Sequence, residues 1–290
     1  DEVVEPLTHY SIFRGRHEFD NGKKALGFAF SSVNRNLQTD DLTNRLSKNA
    51  FAYGIDGWTN IDSAANYVLA AAFAGTYTHG SEEYLIRLQQ KPYRYFQRPD
   101  ATFAKLDSSL TSLAGWYGRV MLNKQSGNFY LNAALGAISP GFENNDLGYQ
   151  WMADRINGHL VMGYRWYDPD PVFRRKNIYV SHARSFDFEG NTISNFIWSS
   201  SYFQFSNYWT FSLGYVKGFD FYTKSKTRGG PLYKYPGEYQ ISADISTDSR
   251  KKIYFYLSSF YTENRLNDYD FSTSFEAVYS PYTQLNISVG

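Results

Sequence analysis

Two stretches hold most of the residues that could do chemistry. "SPGFENNDLGY" (Ser139–Tyr149) sets Glu143, Asn144, Asn145 and Asp146 between Gly141 and Gly148. Oxygen donors packed this closely suit a calcium ion or the hydroxyls of a sugar. The spacing lacks the D-x-D-x-D-G ladder of an EF-hand loop. The same residues also make a turn in which Asn and Asp bond the backbone and glycine takes positive φ. The turn is the preferred reading, so no cofactor is expected, with calcium as the one alternative. "TKSKTRGGPLYKYPG" (Thr223–Gly237) gathers Lys224, Lys226, Arg228 and Lys234 around Gly229-Gly230-Pro231. It is not a P-loop, because no GKS or GKT follows. It reads either as a loop contacting lipopolysaccharide phosphate or, preferably, as an ordered loop whose Arg228-Gly229-Gly230 turn folds inward as a constriction.

Nucleophilic catalysis would need Ser, His and a carboxylate to converge. The histidines are His9, His17, His79, His159 and His182, and none lies in G-x-S-x-G or H-E-x-x-H. The neighbouring Glu82 and Glu83 read as solvated charge beside a turn. No enzymatic chemistry is expected, and a barrel hydrolase is the most distant alternative.

The elements that must position these loops show a period of two. In "WTFSLGYVKGF", Trp209, Phe211, Leu213, Tyr215 and Phe219 alternate with Thr210, Ser212, Gly214 and Gly218. Tyr239, Ile241, Ala243 and Ile245 alternate with Gln240, Ser242, Asp244 and Ser246, and Phe271 to Tyr279 repeats the pattern. Phe129–Ala137 and Ile178–Phe188 do so less evenly. Weaker candidates cover 24–33, 51–60, 66–77, 82–91, 111–123, 158–167, 192–205 and 252–262. This predicts about fourteen strands of around ten residues, the length that crosses a bilayer when tilted. Short connections alternate with longer ones from residue 111 onward, as between the two ends of a transmembrane barrel. Two segments are exceptions: 188–191 is short among the longer connections, and 34–50 is long where a short turn would be due.

Composition agrees. Phe, Trp and Tyr make up 19% of the 290 residues, yet the mean hydropathy is −0.50. No run of about eighteen apolar residues offers a transmembrane helix. The net charge of +1 gives no footprint for nucleic acid. The absence of cysteine excludes disulfides and cysteine-ligated zinc. The polar strand face holds Ser, Thr, Gly, Asn and Gln in place of the Lys and Glu of a solvated sandwich, which suits a hydrated barrel interior. Asp244, Glu276, Gln240 and Arg165 are therefore expected to face the lumen, with carboxylates and bases paired across it. Phe211, Leu213, Tyr239, Ile241, Phe271 and Phe275 are expected to face lipid, and Lys217 to snorkel. A chain opening at Asp1 without a signal peptide reads as processed or truncated.

"GWYGRVMLNKQSGNFYLNAALGAISPGFENNDLGYQ" (Gly115–Gln150) resembles the outer-membrane barrel proteins of Bacteroidota grouped as domain of unknown function 5916. "LQQKPYRYFQRPDATFAKLDSSLTSLAGW" upstream, and "YWTFSLGY", "TRGGPLYKYPG" and "STDSRKKIYFYLSS" downstream, are similar in the expected order. The resemblance spans nearly all of residues 10–285. It implies an all-β, antiparallel transmembrane barrel of the Gram-negative outer membrane, as a single domain over 1–290. Members typically carry a carbohydrate-binding-family-9-like domain ahead of the barrel, so this chain reads as a piece of a larger barrel protein. The family has no assigned reaction. The implied role is a channel, transport or surface-display component linked to glycan handling. The alternative is a structural barrel accompanying a secretion or uptake complex. Expected partners are outer-membrane lipid, lipopolysaccharide, glycans and other outer-membrane or secretion proteins. The loops at 139–157 and 220–237 should leave the same end, meet through their opposite charges (Glu143 and Asp146 against Lys224, Lys226, Arg228 and Lys234) and narrow the pore.

Overall fold

The computed structural model describes residues 4–282 and 284–290. Its elements are β1 (Leu7–Phe19), β2 (Lys24–Asn36), α1 (Asp40–Arg45), β3 (Asn49–Asn60), β4 (Tyr67–His79), α2 (Glu82–Gln89), β5 (Ser112–Lys124), β6 (Phe129–Ile138), β7 (Arg155–Trp166), β8 (Phe173–Phe186), β9 (Thr192–Phe205), β10 (Thr210–Gly218), β11 (Phe221–Thr223), β12 (Tyr233–Tyr235), β13 (Glu238–Ser246), β14 (Ile253–Asn264), β15 (Tyr269–Tyr282) and β16 (Leu285–Val289). Fourteen strands form one antiparallel sheet in chain order, and β11 and β12 make a separate hairpin.

The chain is all-β, with the expected number of strands in one sheet, but the sheet is not closed into a barrel. β1 and β16 stand at its two edges, each bonded to one neighbour only. Closure would need ladders of matching length, and β16 has 5 residues against 13 in β1. Two further expectations are corrected. Residues 82–91 were expected as a strand, but Glu82–Gln89 is a helix. The Ser81 hydroxyl caps it by accepting from the Tyr84 N–H at 3.1 Å, Glu82 and Glu83 favour its first turn, and Leu85 and Leu88 are buried three residues apart. In the other direction, Leu7–Phe19 is a strand that no alternation announces. As an edge strand it is exposed along most of its length, so no single face selects apolar residues.

With α2 restored, the long connection after β2 falls into place. The connections at 37–48, 80–111, 139–154, 187–191, 219–237 and 265–268 all leave one end of the sheet. Those at 20–23, 61–66, 125–128, 167–172, 206–209 and 247–252 leave the other and are short. We call these the loop end and the turn end.

Directly paired residues of antiparallel strands point to one face, so the register sorts every side chain. One face is apolar and exposed. Leu135, Leu160, Met162, Val180, Leu213 and Ile241 lie on it. Aromatic residues collect toward both ends, with Trp166, Phe173, Phe203 and Phe205 at the turn end and Tyr77, Trp116, Tyr239 and Tyr261 at the loop end. The opposite face is lined by small and polar residues such as Gly214, Ser242, Ser200 and Ser258. At its loop end this polar face is covered: Val33, Ala50, Thr76 and Thr78 are buried there.

Candidate functional site

What covers them is a cap built from four loop-end connections. α2 leads into the segment 90–111, which turns back on itself through backbone bonds such as Arg94 N–H to the Lys91 carbonyl (2.9 Å) and Leu106 N–H to the Phe96 carbonyl (2.9 Å). The Gln89 side chain pins this return by donating to the Asp107 carbonyl at 2.8 Å and accepting from the Asp107 N–H at 2.9 Å.

Arg94 lies at the centre, its side chain fully excluded from solvent. Its Nη2 sits 2.8 Å from Glu143 Oε2 and also donates to the Phe142 carbonyl. Glu143 is equally enclosed. It accepts from the Tyr93 hydroxyl at 3.1 Å and the Asn145 N–H at 2.9 Å, and its own N–H donates to the Thr76 hydroxyl on β4 at 2.9 Å. Among the described residues, Arg94 Nε and Nη1 find no acceptor. Burial pulls the Arg94 pKa down, opposed by the Glu143 charge. Burial and the Glu143 charge together push the Tyr93 phenol up to about 12, so it stays a donor.

Around this pair the other connections lock in. Asp146 accepts from Arg35 on β2 at 2.7 Å and from the Ser47 hydroxyl at 2.7 Å. The Gln150 side chain accepts from the Asn144 N–H at 3.0 Å and its backbone N–H donates to the Asn145 side chain at 2.8 Å, closing the 139–150 turn. Glu189 joins Arg98 at 2.8 Å and accepts from the Thr102 and Phe103 N–H groups. Burial raises the Glu189 pKa, but these donors outweigh it and hold the carboxyl below its usual range.

The 219–237 connection reaches the cap at three points. Lys224 Nζ is 3.4 Å from Asp154 Oδ2, and the Leu232 N–H donates to Asp100 at 2.7 Å. Gly229, at φ +93°, lies where a Cβ would strike the Gln97 amide and come within 3.0 Å of the Tyr95 ring. Burial lowers the Lys224 pKa, with Asp154 opposing. Between this loop and the cap lies a cavity of about 400 Å³, walled by Tyr93, Trp151, Met152 and Tyr222, with Asp154 and Lys224 at its edge.

The two loops singled out in the sequence thus leave one end and touch, but not through the charges expected. Glu143 pairs with Arg94 and Asp146 with Arg35, both outside the 220–237 loop; only Lys224 bridges the two loops, to Asp154. Lys234 instead pairs with Asp220 inside its own loop, and Lys226 lies over Tyr235. Arg228 takes φ +51° beside Gly229, while Gly230 closes the turn by donating to the Thr227 carbonyl at 3.1 Å. With each carboxylate facing an arginine, the Glu143–Asp146 turn offers no set of free oxygens for calcium.

Asp244, Glu276, Gln240 and Arg165 share the polar face, and Asp244 and Arg165 lie in one row through Ser212, Tyr202 and Asn177. The expected pairing of acids with bases across this face occurs at Arg14 on β1 and Asp56 on β3, but it is not what holds these four. Asp244 accepts from the Tyr256 hydroxyl at 2.7 Å. Gln240 donates to Glu238 at 2.8 Å, and the Arg165 guanidinium lies 4.6 Å from the Tyr130 ring centre and 5.4 Å from that of Tyr179. For Asp244, Gln240 and Arg165, groups on the same or the adjoining strand serve before a partner further across the sheet can.

Sequence reasoning missed Arg94, Arg98 and Arg35 as the cap's cations. The signal for the first two was "KPYRYFQRPD", where prolines and paired arginines contradict a strand and mark a folded loop. No curated protein matches the chain. The profile of the domain of unknown function 5916 matches residues 80–289, from the start of the cap to the last strand. The chain therefore belongs to the DUF5916 family.

Proposed function

We propose that this chain is the wall of an outer-membrane β-barrel, its apolar face in lipid and its polar face lining a channel that the cap narrows. The supporting observation is the exposed, largely apolar face that runs through the fourteen-stranded sheet, bordered by aromatic residues at both ends. Exposed apolar area of this extent is costly in water and suited to hydrocarbon. The aromatic borders match the two interfaces of a bilayer. Strands of mostly 9 to 14 residues are long enough to cross it. The function that follows is transport or surface display, and its link to glycans rests on the resemblance to barrels carrying a carbohydrate-binding domain. The packed cap also favours a second reading, a permanently shut structural barrel serving a larger secretion or uptake complex.

Spin labels at positions 213, 241 and 275 test the membrane placement. Collisions with oxygen and protection from a water-soluble nickel chelate are expected; chelate access at all three sites would overturn it. Single-channel recording then separates the two roles. A channel conducts alone and is blocked by neutral oligosaccharides, whereas a shut structural barrel conducts only after residues 223–235 are deleted.

A further inference from the structure

The apolar face carries few charges, and they lie near its two borders. At the turn end, Lys24 pairs with Asp20 at 2.9 Å and Lys176 with Asp170 at 2.6 Å, so these two bring their own counterions, while Lys124 on β5 stands singly, 5.8 Å from the Tyr67 ring centre. The loop end is different. His182 and Arg184 on β8 and Lys217 on β10 point to the apolar face, and the register aligns His182, Ile197 and Lys217 in one row. Neighbouring strands lie about 4.8 Å apart, so the two outer members are roughly 10 Å from each other, and Arg184 is about 7 Å along β8 from His182.

Among the described residues, neither Arg184 nor Lys217 takes part in an ion pair. Arg184 lies 4.6 Å from the Phe186 ring centre and donates one bond, to the Thr192 hydroxyl at 3.2 Å. Lys217 lies 5.8 Å from the Tyr239 ring centre, and His182 Nε2 is 2.9 Å from Asn195 Oδ1. The one carboxylate in this row, Glu263, accepts from the Tyr239 and Tyr261 hydroxyls. Exposed Val180, Tyr215 and Leu213 follow directly toward the middle of the face.

We propose that His182, Arg184 and Lys217 form a binding site for the phosphate of an anionic lipid in the leaflet at the loop end, with its acyl chains along Val180, Tyr215 and Leu213. The inference rests on the membrane placement proposed above. Cations at the border of a hydrocarbon-facing surface are costly without an anion, and a lipid phosphodiester supplies two charged, non-bridging acceptor oxygens at that depth. Arg184 brings a fork of donors and Lys217 a mobile ammonium, a pairing suited to a phosphate held from two sides. At the turn end Lys24 and Lys176 are already matched by Asp20 and Asp170, and Lys124 has no second cation in its row, so no such cluster forms there.

The test reconstitutes the full chain in vesicles of equal phosphatidylglycerol and phosphatidylcholine, then measures lipid retained on detergent extraction by native mass spectrometry. At least tenfold enrichment of phosphatidylglycerol is expected, lost in R184Q/K217Q, kept in R184K/K217R and kept in K24Q/K176Q at the other border. Equal retention by the wild type and R184Q/K217Q overturns the site. Inorganic phosphate that binds the lipid-free protein and displaces phosphatidylglycerol equally well would assign the site to free phosphate and overturn the lipid source. If the spin label at 213 reports lipid while enrichment is absent, only this inference fails. If it reports water, both fail together.

Discussion

Arg94 and Glu143 meet at 2.8 Å with 0% and 3% of their side chains exposed, joining the β4–β5 connection to the β6–β7 connection. Two charges withdrawn from water this completely depend on each other, because the groups that also bond them, the Tyr93 hydroxyl, the Asn145 N–H and the Phe142 carbonyl, carry no compensating charge. Glu143→Ala, which strands a buried guanidinium, should destabilise the cap by about 3–5 kcal/mol. Arg94→Met combined with Glu143→Leu should recover most of that loss. Denaturant titration followed by proteolysis at residues 90–111 checks both, and a double variant no better than the single one would remove the charge argument.

Gly229 should tolerate no side chain. Valine there would need positive φ and would collide with Gln97 and Tyr95, at a cost of roughly 1–3 kcal/mol for the backbone alone. The expected outcome is faster protease cleavage in 219–237 with the sheet intact by circular dichroism. Unchanged cleavage would mean that the loop is held elsewhere.

Leu213→Arg should cost roughly 2–4 kcal/mol in bilayer stability if the apolar face meets hydrocarbon near its midplane. Asp244→Asn, on the opposite face of the adjoining strand, should cost far less. Urea unfolding in vesicles gives both values, and equal costs would contradict the sorting of the two faces.

The 219–237 loop should loosen in acid. The Gly237 N–H, then Lys234 and Arg265, hold the Asp220 carboxyl down at about 2, against about 3.9 in an unfolded chain. A carboxyl lowered by folding contributes stability above its unfolded pKa and loses it as pH falls toward the folded one. Hydrogen exchange at Gly237 should therefore be slow at pH 5 and accelerate, relative to its intrinsic rate, between about pH 4 and 2. Asp220→Asn should abolish that pH dependence.

The strands were legible wherever one face is apolar and the other polar, because period-two alternation records that difference directly. Phe211, Leu213 and Tyr215 lie on the apolar face and Ser212 and Gly214 on the polar one, as their order in the sequence implies. β1 was hidden because an edge exposed on both sides imposes no such order. α2 was mistaken for a strand because eight residues give barely two turns, too few for a helical period to stand out. The 139–150 turn was recognisable from its Asn, Asp and Gly content. Its partners were not: Arg35 lies 111 residues from Asp146, and no local pattern records that pairing.

That separation also orders events in time. Every ladder of the main sheet joins neighbours in chain order, with only the β11–β12 hairpin set between β10 and β13, so strands can add one after another with little search. The cap cannot form this way, since Arg98 waits for Glu189, 91 residues on, and Asp100 for Leu232, 132 residues on. Arg98 stays hydrated until β8 and β9 are in place, and the Asp100 contact waits until β10 has docked, so the slowest refolding phase should belong to burial of residues 90–111 against a wall already built.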